Sequence, residues 1–223
     1  MATPAQLMHA ISSLTGVPLP TIVVIDRELL EGNLRTKGGR GLSAAQMTPL
    51  DAARILTAVL ASAQANTSVE AVERYAKTRL DGAQSNYKAF FTTKLDDLAS
   101  LPERHSFVDA LAALILSAST GSLARLAEKS EDGGMPHIEV FAFTRATRGR
   151  LRISGLPHGR TGILEYVDAH SDMKQARGES GGRKRKTSIA EGNGDLEQSR
   201  RLTERTIIPI AKLLAQRKQN EPA

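Results

Sequence analysis

Positive charge in this sequence is concentrated in three short segments without acidic residues, and cationic side chains are the ones that contact phosphate groups. One segment is NLRTKGGRGL at 33–42, where Arg35, Lys37 and Arg40 stand among glycines. A second, at 140–164, carries Arg145, Arg148, Arg150, Arg152 and Arg160, and the third is RKRK at 183–186. The formal net charge is +6, and its distribution predicts contact with a polyanion through loops or ribbons.

The glycine-rich segment 33–42 is compatible with a catalytic phosphate loop, a wing that touches DNA, or a solvated turn. A nucleotide-binding loop follows a strand and ends in Gly-Lys-Ser/Thr at the start of a helix. Here Lys37 precedes Gly38 and Gly39, the segment before it has helical periodicity, and no Gly-Lys-Ser/Thr follows. We therefore expect no catalytic loop, and the wing and the solvated turn stay open.

The arginine-rich segment 140–164 has a period of two. Arg148, Arg150 and Arg152 would point to one side of a strand, with Leu151 and Ile153 on the other. This ribbon could lie along a nucleic-acid backbone, or it could be the solvent face of a small sheet packed on the helix predicted at 106–128. We favour the sheet, with phosphate contact as an additional role. The RKRK segment predicts unspecific electrostatic attraction.

No constellation of residues predicts catalysis. The five histidines do not form a metal-binding motif such as HExxH, and the chain contains no cysteine. Adjacent acids, as at 96–97 and 131–132, point apart and do not make a catalytic carboxylate pair. We therefore predict no enzyme activity, no cofactor and no metal site.

Three helices are predicted in the first 62 residues. Thr3-Pro4-Ala5-Gln6 and Thr48-Pro49-Leu50-Asp51 are each a capping residue, a proline and a side chain that closes a capping box. The first helix ends at Gly16, a second runs over 20–31 to Gly32, and the third starts at Thr48. Their apolar residues recur at helical spacing.

A second unit is predicted over residues 67–169. Helical spacing indicates helices at 67–80, 85–98 and 106–128, and alternating apolar residues indicate strands at 137–144, 150–154 and 161–169. The polar, basic stretch 170–195 is predicted to be flexible. An amphipathic helix is predicted at 196–218, kinked by Pro209.

Residues 3–61 resemble winged helix-turn-helix DNA-binding regulators. The resemblance rests on a helix ending in Thr15-Gly16, the turn Pro18-Leu19-Pro20-Thr21, a second helix, and then Gly32-Asn33-Leu34 before the basic loop. It covers about a quarter of the chain. It implies that 20–31 is a recognition helix presenting Thr21, Val24 and Arg27, and that the wing is formed by Arg35, Lys37, Gly38, Gly39 and Arg40.

Together these patterns predict a mainly α fold with a small antiparallel sheet (α+β). Residues 1–62 would be a winged-helix-like three-helix domain, and 67–169 a helical domain with a β-hairpin or three-stranded sheet for dimerisation or partner binding. We expect a non-catalytic, sequence-specific transcriptional regulator that binds double-stranded DNA as a homodimer. Its DNA contacts would include Arg148, Arg150 and Arg152.

Two other functions stay open. One is a protein-interaction adaptor or scaffold that binds an acidic partner through its basic loops, with residues 67–223 as a protein-binding part. The other is a nucleic-acid-processing enzyme whose catalytic residues do not form a familiar motif. The sequence contains no apolar run long enough to span a bilayer and no secretory signal, so we expect a cytoplasmic protein without membrane contact.

Overall fold

The computed structural model describes residues 2–38, 45–86, 89, 95–129, 134–143, 147–169 and 198–216. Several predictions concern residues outside these ranges. They are the DNA contacts of Gly39 and Arg40, the flexible segment 170–195, the RKRK segment, and half of the helix predicted at 85–98. At the end of this predicted helix, a short helix spans Asp96–Ala99.

The three predicted N-terminal helices are present. Helix α1 spans Pro4–Thr15, α2 spans Leu19–Glu31 and α3 spans Pro49–Ala61. Both predicted capping boxes form, Thr3 with Gln6 and Thr48 with Asp51. Gly16 ends α1 with φ 74°, a left-handed conformation that glycine adopts without strain.

The next elements differ from the predicted single helix at 67–80. Helix α4 ends at Ala76, so it spans Ser68–Ala76, and Thr78–Leu80 is strand β1. The Thr78 hydroxyl donates to the carbonyl of Tyr75 at 2.7 Å, and β1 pairs with the strand at 160–168. Strand pairing with a distant segment overrides the local helical spacing here.

The remaining helices lie in the central and C-terminal parts of the chain. Helix α5 is Asp96–Ala99, α6 is Phe107–Ser119, α7 is Ser122–Lys129 and α8 is Glu204–Ala215. The predicted helix at 106–128 is therefore two helices, divided at Gly121, which has φ 79°. Pro209 lies inside α8.

The described strands form one antiparallel sheet with the order β1-β4-β3-β2-β5. Strand β2 spans His137–Phe143, β3 Arg148–Leu156, β4 Arg160–Asp168 and β5 Ser199–Thr203. The three predicted strands are confirmed, and β1 and β5 extend the sheet on either side. The helix predicted from 196 was wrong at its start, because residues 199–203 pair with β2 instead.

The inner face of the sheet is apolar and packs against α3, α6 and α8. It is formed by Ile138, Val140, Ala142, Leu151, Ile153, Leu164, Tyr166 and Leu202, all buried. Buried apolar residues from Ala2 to Leu214 belong to a single cluster. The domain boundary predicted at residues 62–66 therefore does not coincide with a gap in the apolar packing.

Strand β5 is joined to the N-terminal helices by Arg200. Its Nη1 donates to the carbonyls of Val59 and Ser62, each at 2.9 Å. These carbonyls lie at the C-terminal end of α3, where backbone acceptors have no partner within the helix. Arg200 therefore caps α3 from the far end of the sequence.

An aromatic cluster connects α4, α6 and the sheet. The ring of Phe107 makes edge contacts with Tyr75, at 5.3 Å between centroids, and with Tyr166, at 5.9 Å. The Tyr75 hydroxyl lies 2.9 Å from the carbonyl oxygen of Phe143 and 3.0 Å from that of Arg148. Burial raises the pKa of Tyr75 to about 12, so the hydroxyl stays protonated and can donate to these carbonyls.

Gly149 is required by this packing, because its backbone lies directly against the Phe107 ring. A Cβ at position 149 would be 2.3 Å from Cδ2 of Phe107. We expect Gly149→Ala to lower the free energy of unfolding by about 1–3 kcal/mol, the usual cost of overpacking a core. Urea denaturation measures this. Gly82→Ala is the control, since a Cβ there meets nothing within 4 Å; an equal effect of both changes would contradict the prediction.

Candidate nucleic-acid interface

The glycine-rich loop after α2 begins with a buried ion pair. Nε of Arg35 lies 2.6 Å from Oδ1 of Asp26, and the two side chains are 8% and 9% exposed. The Arg35 guanidinium also donates to the carbonyl of Thr36 at 2.9 Å. The prediction that Arg35 is a wing cation facing DNA is therefore corrected: its charge is used inside the protein, against an acid of α2.

Asp51, in the first turn of α3, joins the two ends of this loop. Its carboxylate accepts hydrogen bonds from the backbone N–H and the hydroxyl of Thr36 on one side, and from the same groups of Thr48 on the other. Burial alone would raise the pKa of Asp51. The hydrogen bonds from Thr48 and Thr36 outweigh burial and lower it below the ordinary value of 3.8.

The pKa of Asp26 moves in the opposite direction. Burial raises it, and the hydrogen bond and charge of Arg35 offset this only in part. The nearby Asp51 carboxylate adds a smaller contribution that also raises it. The start of the loop is thus fixed by two buried carboxylates, one bonded to a guanidinium and one to backbone and hydroxyl donors.

The other predicted contacts near this loop are more exposed. Lys37 and Gly38 are exposed, and on α2 Thr21 and Val24 are half-buried. Arg27 is exposed and its Nε lies 4.0 Å from Oε1 of Glu31. Among the described residues 32–38 and 45–48, the one β pairing is the bridge of Met47 with Ala2, so these residues do not contain a two-stranded wing.

Asp51→Asn should reveal the pH dependence that follows from the lowered pKa. A carboxylate whose pKa is lower in the folded state stabilises the fold above the unfolded value of 3.8, and this stabilisation is lost as the pH falls. We expect the variant to lose about 1–2 kcal/mol near pH 7 and to approach wild type below about pH 4.

Denaturant unfolding at a series of pH values measures this difference. The matched control is Asp109→Asn, which removes the acid from the capping box of α6, where Asp109 bonds to Ser106 alone among the described contacts. A loss that is independent of pH between 3 and 7 would show that Asp51 does not act through its charge.

The outer face of the sheet, opposite the helices, gathers arginines from three strands. Cross-strand pairing places Arg148, Arg150 and Arg152 of β3 on this face, as predicted from their spacing. The same register adds Arg79 of β1, opposite Val167, and Arg201 of β5, opposite Phe141. Contact of these arginines with DNA stays a prediction.

Glu165 of β4 positions two of these arginines. Nε of Arg148 lies 2.9 Å from its Oε1, and Nε of Arg150 lies 2.5 Å from its Oε2. The Glu165 side chain is only 1% exposed, whereas those of Arg148 and Arg150 are 32% and 36% exposed. The acid thus lies beneath the two guanidinium groups, which reach solvent.

Glu139 of β2 positions two further arginines, Arg152 and Arg201, on the same face. Nη1 of Arg152 lies 3.1 Å from its Oε2, and Nη1 of Arg201 lies 2.8 Å from its Oε1. The Arg152 and Arg201 side chains are 47% and 53% exposed, against 9% for Glu139. At the edge of this cluster, Nε2 of His137 lies 3.8 Å from Oε1 of Glu139, and its Nδ1 lies 2.9 Å from Oε2 of Glu204.

Each glutamate neutralises only one of its two arginines. Each glutamate with its two arginines therefore keeps one excess positive charge, with the carboxylate on the inside and guanidinium N–H groups at the surface. A guanidinium has five N–H donors and cannot lose its charge at neutral pH. The arrangement presents fixed donors for anionic oxygen atoms and resists neutralisation by its own acids.

Two phenylalanines lie between these clusters on β2. The rings of Phe141 and Phe143 have centroids 6.4 Å apart with 21° between their planes. Cζ of Arg148 lies 4.1 Å from the centroid of the Phe143 ring, a cation–π contact. Phe143 is 7% exposed, while Phe141 is half-buried.

Comparisons with protein-family models, with curated proteins and with solved structures find no significant match to this chain. The site therefore has to be interpreted from its own geometry. In the described part of the chain no cluster of three or more potential metal ligands occurs. Among the same residues no helix is long and apolar enough to cross a membrane.

Sequence reasoning missed part of this surface. Glu139 and Glu165 flank the acid-free stretch 140–164, one residue outside each end. Their pairing with its arginines depends on strand register. Arg201 falls within the segment 196–218, which the sequence predicts to be helical. A signal was present for Phe141 and Phe143, since they alternate with the apolar residues Val140 and Ala142 in β2, but alternation alone does not tell an exposed aromatic from a buried one.

Proposed function

We propose that this chain is a non-catalytic, sequence-specific transcriptional regulator that binds DNA, with the outer face of the sheet as its main phosphate-binding surface. The observation that carries the proposal is the set of arginines on that face, positioned by Glu139 and Glu165. Phosphate contacts supply most of the affinity in protein–DNA complexes and come chiefly from Arg and Lys.

The position of the acids supports this surface over an ordinary solvated sheet. In an ordinary surface ion pair both the acid and the cation are exposed to solvent. Here the side chains of the two glutamates are at most 9% exposed, and the arginines above them are 32–53% exposed. An approaching phosphate would meet guanidinium groups first.

Lys37 and the exposed side of α2 would supply secondary contacts, as the winged-helix resemblance implies. Glu28 and Glu31 lie on the same helix as Arg27, and carboxylates repel phosphate. We therefore assign less of the DNA affinity to α2 than to the sheet. We further propose that the protein acts in the cytoplasm as a homodimer, reading two half-sites about one helical turn apart.

A protein-interaction adaptor is the second candidate, and the surface of α2 favours it. Val23 is 44% exposed there, beside half-buried Val24 and the acids of the same helix. An apolar and acidic helix face suits a protein partner better than a phosphate backbone. The two functions are separable, because an adaptor that uses α2 would not need the arginines of the sheet.

Changing one arginine of each cluster tests the proposed function. Arg150→Ala with Arg152→Ala removes two cations but leaves Glu165 paired with Arg148 and Glu139 paired with Arg201. We expect weaker binding to a 20-base-pair duplex and a salt slope, log K against log salt concentration, that is flatter by about two units. Fluorescence anisotropy across a salt series measures both.

Lys212→Ala is the control for this experiment, because Lys212 is exposed on α8, the helix that packs on the inner face. It should leave the affinity near that of wild type. Unchanged affinity and slope in the double variant, with urea denaturation showing a stable fold, would rule out the sheet as the phosphate-binding surface.

Arg35 and Lys37 must be changed separately, because they differ in burial. Arg35→Ala would leave the Asp26 carboxylate buried without its guanidinium, and we expect a loss of about 3 kcal/mol in the free energy of unfolding. Lys37→Ala should change stability by no more than about 0.5 kcal/mol and should weaken DNA binding slightly. Equal stability of the two variants in urea denaturation would contradict the buried ion pair.

A further inference from the structure

We propose that Phe141 is a stacking platform for an unpaired base, so that the outer face of the sheet binds single-stranded DNA in preference to a duplex. The inference rests on the proposed function in one respect, since it uses the same arginines as phosphate contacts. It goes further by naming the form of nucleic acid that the face accepts.

The first support is the row of residues that crosses the sheet at Phe141. Arg150 of β3 and Arg201 of β5 are its direct cross-strand partners. Side chains of paired residues project from the same face, and neighbouring strands lie about 4.8 Å apart. The strand position of Phe141 is thus flanked on both sides by arginines whose guanidinium groups lie against Glu165 and Glu139, and the two arginine backbones are roughly 10 Å apart.

This row matches the chemistry of a single strand. A base has a π-face that stacks on an aromatic ring whatever its sequence, and the phosphates on either side of it carry the charge. An aromatic ring between two cations meets both requirements at once. Bases in a duplex are already stacked on one another, so a ring on a protein surface cannot reach their faces.

The second support is the difference between the two phenylalanines. Phe143 is covered by the Arg148 guanidinium at 4.1 Å and is 7% exposed. Phe141 lies next to it with a similar ring orientation but is only half-buried. Of the two rings, Phe141 is therefore the one that a base can approach, with Phe143 and Arg148 supporting it from one side.

The third support is the width of the sheet. Its five strands span four spacings, roughly 19 Å at about 4.8 Å each. The major groove of B-DNA is about 12 Å wide and admits a helix or a two-stranded ribbon. Arginines on the central strand β3 cannot enter that groove with the rest of the sheet around them, so on a duplex they reach backbone phosphates alone. A flexible single strand can lie across the face and meet several of them.

Base stacking is separated from phosphate contact by comparing two single strands that carry equal charge, and the preference for a single strand is tested against a duplex of the same length. We would measure anisotropy of the intact protein with labelled dT15, with an abasic 15-mer of the same phosphate count, and with a 15-base-pair duplex. We expect dT15 to bind at least about fivefold more tightly than the abasic strand, and more tightly than the duplex at the same salt concentration.

Variants at position 141 assign the preference to the ring. Phe141→Ala should abolish the difference between dT15 and the abasic strand, while Phe141→Trp should keep it. The chain has no tryptophan, so the fluorescence of Phe141→Trp reports this site alone and should be quenched by dT15 but not by the abasic strand. Val167→Ala is the control: Val167 is a half-buried apolar residue of the same face, between Arg79 and Arg148.

The outcomes separate the inference from the proposed function. If dT15 and the abasic strand bind equally, or if the duplex binds more tightly than dT15, the stacking site is ruled out while DNA binding stands. If no probe binds at low salt, both are overturned. If rU15 binds at least tenfold more tightly than dT15, the assignment to DNA is overturned.

Discussion

Burial of α6 is the constraint on which the rest of the fold depends. This helix carries apolar residues around most of its circumference, and Phe107, Leu111, Leu114 and Ile115 are at most 1% exposed. No single neighbour can cover it, so α3, α4, α8 and the inner face of the sheet all pack against it or beside it. Because α6 and the helices that cover it all lie on the inner side of the sheet, the charged residues of the strands are left to the outer face.

Buried carboxylates with fixed partners recur at both basic regions of the protein. Glu139 and Glu165 each lie beneath two arginines, and Asp26 lies against Arg35. Burying a carboxylate is costly unless cations or N–H groups surround it. The acids therefore restrict where the long arginine side chains can go. On the sheet the glutamates hold the guanidinium groups at the surface. At the loop, Asp26 holds the guanidinium of Arg35 in the interior.

The sequence was most informative where structure is decided locally. The capping boxes at Thr3 and Thr48 and the alternation in β2, β3 and β4 were predicted correctly, because they depend on residues a few positions apart. β1 and β5 were mistaken for helix, since Thr78–Leu80 and Ser199–Thr203 become strands only by pairing with distant segments. For the same reason, the buried ion pair of Arg35 with Asp26 and the ion pair of Arg201 with Glu139 could not be predicted.

The cap that Arg200 places on α3 joins two segments that lie far apart along the chain. The carbonyls of Val59 and Ser62 are available as soon as α3 is synthesised, but their donor lies 141 and 138 residues later. During synthesis α3 therefore stays without this cap until Arg200 has been added to the chain. Contacts of such long sequence separation are slow to form. A chain that stops before Arg200 would leave the carbonyls of Val59 and Ser62 without this donor.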